Sequence, residues 1–310
     1  MKKIQGEGKG SSVWKTSFSI VVFIGLLVLL GFSILAAITF GNADISIQEV
    51  YRVVCYELFH IDGFSAYGEG AVHDVVWLIR FPRVLLGAAI GMGLSVCGVV
   101  MQAVVKNPLA DPGIIGISSG ASFAAVLVTA FLPALYFFTP LFAFGGGVLA
   151  FFLVYSLSWK GGLSPLRIIL TGVAVSAMFS GLSDALNSMT GGSSSGVASI
   201  VEGNITQKTW EDVQTLLPYV IVGLVLAVLF SKMCNLMTLE DKTARGLGVN
   251  VNLMRILISL VAVLLASIST AVAGAVSFLG LIVPHMGRIL VGSDHRALVP
   301  FSMLAGAFTF

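Results

Sequence analysis

Few residues in this 310-residue chain could do chemistry, and their spacing favours positioning over catalysis. His285 and Arg288 stand one helical turn apart in the stretch Gly274–Arg288. That pair could relay a proton, or it could cap and anchor a helix end with positive charge. No second histidine or carboxylate lies at ligand spacing, so no metal site is expected. Cys55, Cys97 and Cys234 are far apart, form no CxxC and read as small buried hydrophobes. Gly6–Gly10 imitates part of a phosphate loop, but Lys3 stands where the first glycine is required and Gly10 where Ser or Thr is required. Asn204-Ile205-Thr206 fits a glycosylation sequon, a pattern too common to count. With no paired catalytic groups at one depth, the chain is expected to be no enzyme and to hold no cofactor.

The elements that must position these residues are apolar. The chain is 57% hydrophobic and 10% charged, with mean hydropathy +0.99, whereas soluble domains carry about a quarter charged residues. It is therefore read as an all-α, polytopic membrane protein, a single transmembrane domain over 1–310. Apolar runs fall at about 18–40, 76–105, 114–132, 134–158, 165–187, 213–231, 252–273, 276–291 and 298–310. The first is long enough to span and lacks a cleavage site, so it reads as an uncleaved helix. Between the first two runs, Ile47–Phe59 reads as an interfacial amphipathic helix. A Gly/Ser-rich connection occupies 188–212. The final run stops at Phe310 without a polar cap, which reads as a truncated crossing.

Basic residues set the orientation. With the N-terminus cytoplasmic, Lys2, Lys3, Lys9, Lys15, Lys106, Lys160, Arg167, Lys232, Lys242, Arg245, Arg255, Arg288 and Arg296 fall inside. These are thirteen of the seventeen Lys and Arg residues; Arg52, Arg80, Arg83 and Lys208 are left outside.

Three stretches interrupt the apolar pattern. Arg80-Phe-Pro-Arg83 forms a basic corner ahead of an apolar run. That run breaks at Asn107-Pro108, passes Asp111-Pro112 and re-enters at once. Neither proline fits a continuous helix. Non-helical backbone at membrane depth survives only when buried or lining a cavity, although an ordinary interfacial loop also fits. Asn107 and Asp111 are placed to cap the following helix. In the second stretch Gly274 and Gly280 allow close backbone approach, and Pro284 breaks or starts a short helix. The third, Leu236–Val249, reads as a short cytoplasmic helix with Leu239, Ala244 and Leu247 on one side, Glu240 and Arg245 among its charges, and Gly246 and Gly248 at its end. It is either a spacer or a knob that docks a cytoplasmic partner.

Together these residues resemble the FecCD-type permeases of bacterial ABC importers for ferric siderophores, haem and cobalamin. The resemblance rests on RxPR at Arg80–Arg83, on G-x-x-x-Q-x-x-x-x-NPLADP-x-x-x-G-x-x-x-GA from Gly98 to Ala121, and on Leu166–Gly172. It continues through Leu236–Val249 and GLIVPH-x-x-R followed by Gly292–Arg296. It implies a type II importer permease fold with ten helices, about nine of them present here. It further implies a homodimer in the bacterial cytoplasmic membrane, with separate ABC ATPase subunits and an extracytoplasmic binding protein. Residues 236–249 would be the coupling region seated in the ATPase, and Arg80 and Arg83 would pair with carboxylates of the binding protein. Ferric siderophore is the expected cargo, with haem or cobalamin as the alternative. One departure is Ile200, where the family usually has Trp shortly before the position of Gly203. A rival reading, an ion-coupled secondary transporter, needs intramembrane carboxylates, and Asp184 is the candidate.

Overall fold

Prolines and glycines decide where the helices of this chain bend and how closely they pack. The computed structural model describes residues 7–41, 43–113, 115–158, 165–189, 200 and 203–310. The N-terminal Lys2 and Lys3, Lys160 and the Gly/Ser run at 191–196 lie outside them, as do the side chains of Lys9 and Lys15. Among the described residues the chain is helical, with no strand.

Helix α1 (Glu7–Thr39) is followed by α2 (Ile47–Phe59), which begins at a reciprocal Ser46–Glu49 cap and buries Val50, Val53 and Cys55. A short turn and a π-helical segment, Asp74–Arg80, lead without a break into α3 (Phe81–Val105). Next come α4 (Ile117–Phe131), α5 (Thr139–Ser158) and α6 (Pro165–Met189). The remaining helices are α7 (Trp210–Met237), α8 (Asp241–Gly246), α9 (Val251–Ala273), α10 (Leu279–Leu290) and α11 (His295–Thr309). Each of the nine apolar runs falls on a helix, and the amphipathic helix has the bounds expected of it. Among the described residues six helical stretches are long and apolar enough to cross a membrane.

The crossings divide by burial. The apolar windows of Ala71–Val105 and Val251–Ala273 are each 78% buried, whereas that of α1 is 0% buried. Helices α3 and α9 thus form the centre, with α7, α10 and α11 packed on α3, and α4 and α5 packed on α9. Helix α1 leans mainly on α11 and leaves Phe18, Val21, Val28 and Phe32 exposed. In water that face would be costly; toward lipid it is ordinary.

The Arg80–Arg83 stretch is not a corner. It lies in one helix whose register is widened by Pro82. Proline offers no N–H to the carbonyl of residue 78 and crowds the preceding turn. The Phe81 amide bonds instead to Val76 O, the i→i−5 pattern of a π-turn. The carbonyl of Trp77 is taken by the indole of Trp210, at 2.8 Å. Trp77, Phe81 and Trp210 cluster there, with ring centroids 4.8 to 5.7 Å apart.

Pro284 raises the same problem inside α10. Its missing N–H would have bonded to Gly280 O. That carbonyl is met by Gln102 Nε2 of α3 at 2.9 Å, and Gln102 Oε1 accepts from Arg288 Nη2. Pro284 therefore neither breaks nor starts the helix; it sits inside it because α3 replaces the lost donor. The replacement requires contact between backbones, since a Cβ on Gly98 would lie 2.0 Å from Gly280 O. Gln102 is one turn beyond Gly98 on the same face of α3. Replacing Gln102 with Leu should orphan the Gly280 carbonyl and the Arg288 donor. The expected loss is about 1–3 kcal/mol of stability, read as a lower melting midpoint in detergent, with Gly98→Leu more damaging because it separates the helices.

Candidate functional site: the broken helix and its joint to a short helix

Of the two readings of Asn107–Pro112, the buried loop holds for Ala110–Pro112, while Pro108 and Leu109 are exposed. Helix α3 ends at Lys106, which adopts a left-handed conformation (φ 54°). Ala110, Asp111, Pro112 and Ile115 are buried. A Cβ on Gly280 would lie 3.0 Å from Asp111 Oδ2, and Gly280 touches Gly98, seven residues before the end of α3. The loop therefore turns back roughly 10 Å along α3, at 1.5 Å per residue. The capping expectation does not hold. Asn107 Oδ1 accepts from the Leu109 amide at 3.0 Å, and Asp111 Oδ1 from the Gly113 amide at 2.8 Å. Each side chain closes its own turn, while α4 starts at Gly116 (φ 86°) with no side-chain cap. Asp111, expected as a helix cap, is instead a buried carboxylate with 3% exposure. Asp184, the carboxylate singled out beforehand, is exposed.

Beside this loop is a recess of about 340 Å³, lined by Asp111 and by Ser118, Ser119, Ser176, Ser180 and Ser277 among others. Those serines come from α4, α6 and the segment before α10, so no linear motif announced them.

The short helix α8 is tied to the loop. Lys106 Nζ donates to Asp241 Oδ1 at 2.6 Å and also to Leu239 O. Arg255 Nη2 of α9 reaches the same carboxylate at 3.1 Å. Hydrogen bonding from Lys106 is the main cause that holds the Asp241 carboxyl below its ordinary range, with Arg255 adding to it. The sign follows. A depressed carboxylate pKa stabilises above the ordinary value of about 4 and loses that contribution as pH falls through the lower folded value. Sequence reasoning placed Lys106 and Leu236–Val249 on one side of the membrane but did not pair them.

The expected faces of the short helix need one correction. Ala244 is buried at 1% exposure and points into the core, whereas Leu239 and Leu247 are exposed. Glu240, Arg245, Gly246 and Gly248 are exposed as well. Helix α8 ends at Gly246, and Gly248 (φ 83°) takes the left-handed position that follows.

Two further residues differ from expectation. Arg80 does not present a free guanidinium. It is buried and donates to Ile38 O at 2.8 Å, Thr39 O at 2.6 Å and Ala43 O at 3.0 Å. It thus caps the carbonyl end of α1, which has no basic residue of its own. Arg83 is half-buried; it donates to Thr206 O, and its Nε is enclosed without a hydrogen-bond partner. At the other end, His285 is exposed while Arg288 turns inward to Gln102, so the two do not act as a pair. Among the described residues no group of His, Cys, Asp and Glu could hold a metal.

Replacing Lys106 with Met should release Asp241 from the α3 loop. Hydrogen exchange across 238–249 should quicken, while the global melting midpoint moves by less than about 1 kcal/mol equivalent because the pair is partly exposed.

Comparison with known proteins agrees with this geometry. The FecCD transport family profile matches residues 21–310. The Fe(3+)-citrate import system permease protein YfmD of Bacillus subtilis (strain 168) is 36% identical over 293 residues, covering 94% of this chain and 85% of the relative. The probable heme-iron transport system permease protein IsdF of Staphylococcus aureus (strain Newman) is 35% identical over 288 residues, covering 93% and 84%. A solved structure described as a metal-chelate type ABC transporter in an inward-facing conformation superposes with TM-score 0.73 and 28% identity, over 94% of this chain and 87% of that one. With its apolar crossings, re-entrant NPLADP loop and proline-bearing α10, this multi-spanning chain belongs to the FecCD transport family.

Proposed function

We propose that the chain is the permease subunit of an ATP-driven importer that carries an iron complex into a bacterial cell across the cytoplasmic membrane. It would act as a homodimer, with ABC ATPase subunits bound at the Lys106 end and a binding protein docking at the Arg80 end. The N-terminus is cytoplasmic in this reading, as the distribution of Lys and Arg favours. Ferric siderophore is the first cargo, with haem or cobalamin as the alternative. A citrate-iron permease and a heme-iron permease among the relatives support an iron chelate in general.

The observation that carries the reading is the joint between α8 and the broken helix. A short helix that exposes Leu239, Arg245 and Leu247 while its Asp241 grips Lys106 and Arg255 is built to pass a push inward. Closure of the ATPases would displace α8. The ion pairs would carry that displacement to the loop at Asn107–Pro112 and to α9, and the crossings would rock around a central passage. No covalent step falls to this chain. On the opposite face, Arg83 is the residue offered to a carboxylate of the binding protein, and Arg80 positions the helix beneath it by fixing α1.

Uptake of radiolabelled iron complexes by cells carrying the whole transporter tests this. Arg245→Glu, or deletion of Glu240–Gly246, should abolish uptake and co-purification of the ATPase while membrane insertion stays intact. Normal uptake in either variant would remove the coupling assignment. Competition among ferric citrate, a ferric hydroxamate and haem, in the presence of the cognate binding protein, orders the cargoes.

A further inference from the structure

Beneath α8 lies a cavity of about 350 Å³, within the size range of small-molecule sites. One wall is a polar stripe on α9, where Asn252, Arg255 and Ser259 follow one another at helical spacing on a single face. Lys106 and Arg245 stand at the mouth with Asp241. Three cations against one carboxylate leave the mouth net positive. The opposite wall is apolar, with Met101 and Val104 of α3 and Phe151 and Val154 of α5.

Two donors in this lining lack acceptors. Arg255 uses Nη2 on Asp241, but its Nε is buried without a hydrogen-bond partner. One turn deeper, Ser259 has 0% exposure and its Oγ is likewise unpartnered. A buried donor without an acceptor is costly, and a guanidinium N–H can only donate. The missing group is therefore an acceptor, and the positive mouth makes it an anion. The apolar wall suits a hydrocarbon part of the ligand.

We propose that this cavity binds an anionic phospholipid from the leaflet at the Lys106 end. Its phosphate lies against Arg255, Ser259 and Lys106, and the upper part of one acyl chain lies along Met101, Phe151 and Val154. Charge-assisted hydrogen bonds from Arg and Lys to phosphate are strong enough to select an anionic headgroup over a zwitterionic one. The site abuts the Lys106–Asp241–Arg255 joint, so its occupant would stiffen that joint. The inference needs only that the chain lies in a membrane, whatever its cargo, so it stands or falls apart from the import reading.

Native mass spectrometry of the detergent-solubilised chain, incubated with equal phosphatidylglycerol and phosphatidylcholine, tests it. The expected result is a phosphatidylglycerol adduct in roughly tenfold excess, undisturbed by a large excess of inorganic phosphate. Arg255→Gln should lose the adduct. So should Val154→Phe, which fills the floor from the apolar wall without touching a polar group, with its melting midpoint kept near that of the parent. Equal retention of the two lipids, or an adduct that persists in Val154→Phe, would overturn the proposal. Displacement by inorganic phosphate would assign the cavity to a free anion and overturn the lipid.

Discussion

Backbone carbonyls that lose their helical partner at membrane depth are the constraint on which this structure rests. Water cannot satisfy them there, so protein must. Pro284 frees Gly280 O, and Gln102 takes it. Pro82 shifts the register around Trp77, and Trp210 takes that carbonyl. The end of α1 leaves Ile38 and Thr39 open, and Arg80 takes both. In each case a donor from a distant part of the chain repairs a local defect. The repairs also fix which helices are neighbours, because a donor must be within about 3 Å of its acceptor. Helix order around α3 is thus specified by hydrogen-bond satisfaction as well as by apolar packing.

The same logic separates holding from moving. Gln102 and Arg80 are buried and make several bonds, so they hold. The Lys106–Asp241–Arg255 set lies nearer the surface, with side chains 15 to 38% exposed, and can exchange with water at modest cost. Asp294, just before α11, is of this second kind. Its carboxyl is held low chiefly by the Arg296 amide, and it also receives Asn235. Firm contacts are the buried ones, within a crossing at Gln102 and at the end of one at Arg80, and yielding ones are those that water can reach.

Much of the architecture was legible because apolar runs, prolines and charges are one-dimensional signals. The nine runs became helices, Ile47–Phe59 kept its bounds, and the NPLADP loop broke the helix as its prolines required, with Ala110–Pro112 buried. What failed was any inference about where a long side chain would point. Arg80 and Arg83 are three residues apart and chemically alike, yet one caps α1 and the other reaches across to Thr206. Arg288 was paired with His285 by sequence spacing, but its partner is Gln102, 186 residues away. Asp111 read as a helix cap from its type and position, but the loop carried it inside. These outcomes depend on tertiary approach, and the only linear trace of that approach is a glycine. Gly280 gave such a trace; its partner Gly98, where a Cβ would lie 2.0 Å from Gly280 O, was not read as a contact.

The Gly98–Gly280 contact has a mechanical side. Side chains are the compressible layer of a protein: they rotate between rotamers and let packed helices slide. Here two main chains touch with nothing between them, and a third group, Gln102, is bonded across the seam. Such a contact has almost no play. Helices α3 and α10 must therefore travel together as one stiff plate, and any flexing of the molecule is displaced to the seams where side chains still intervene.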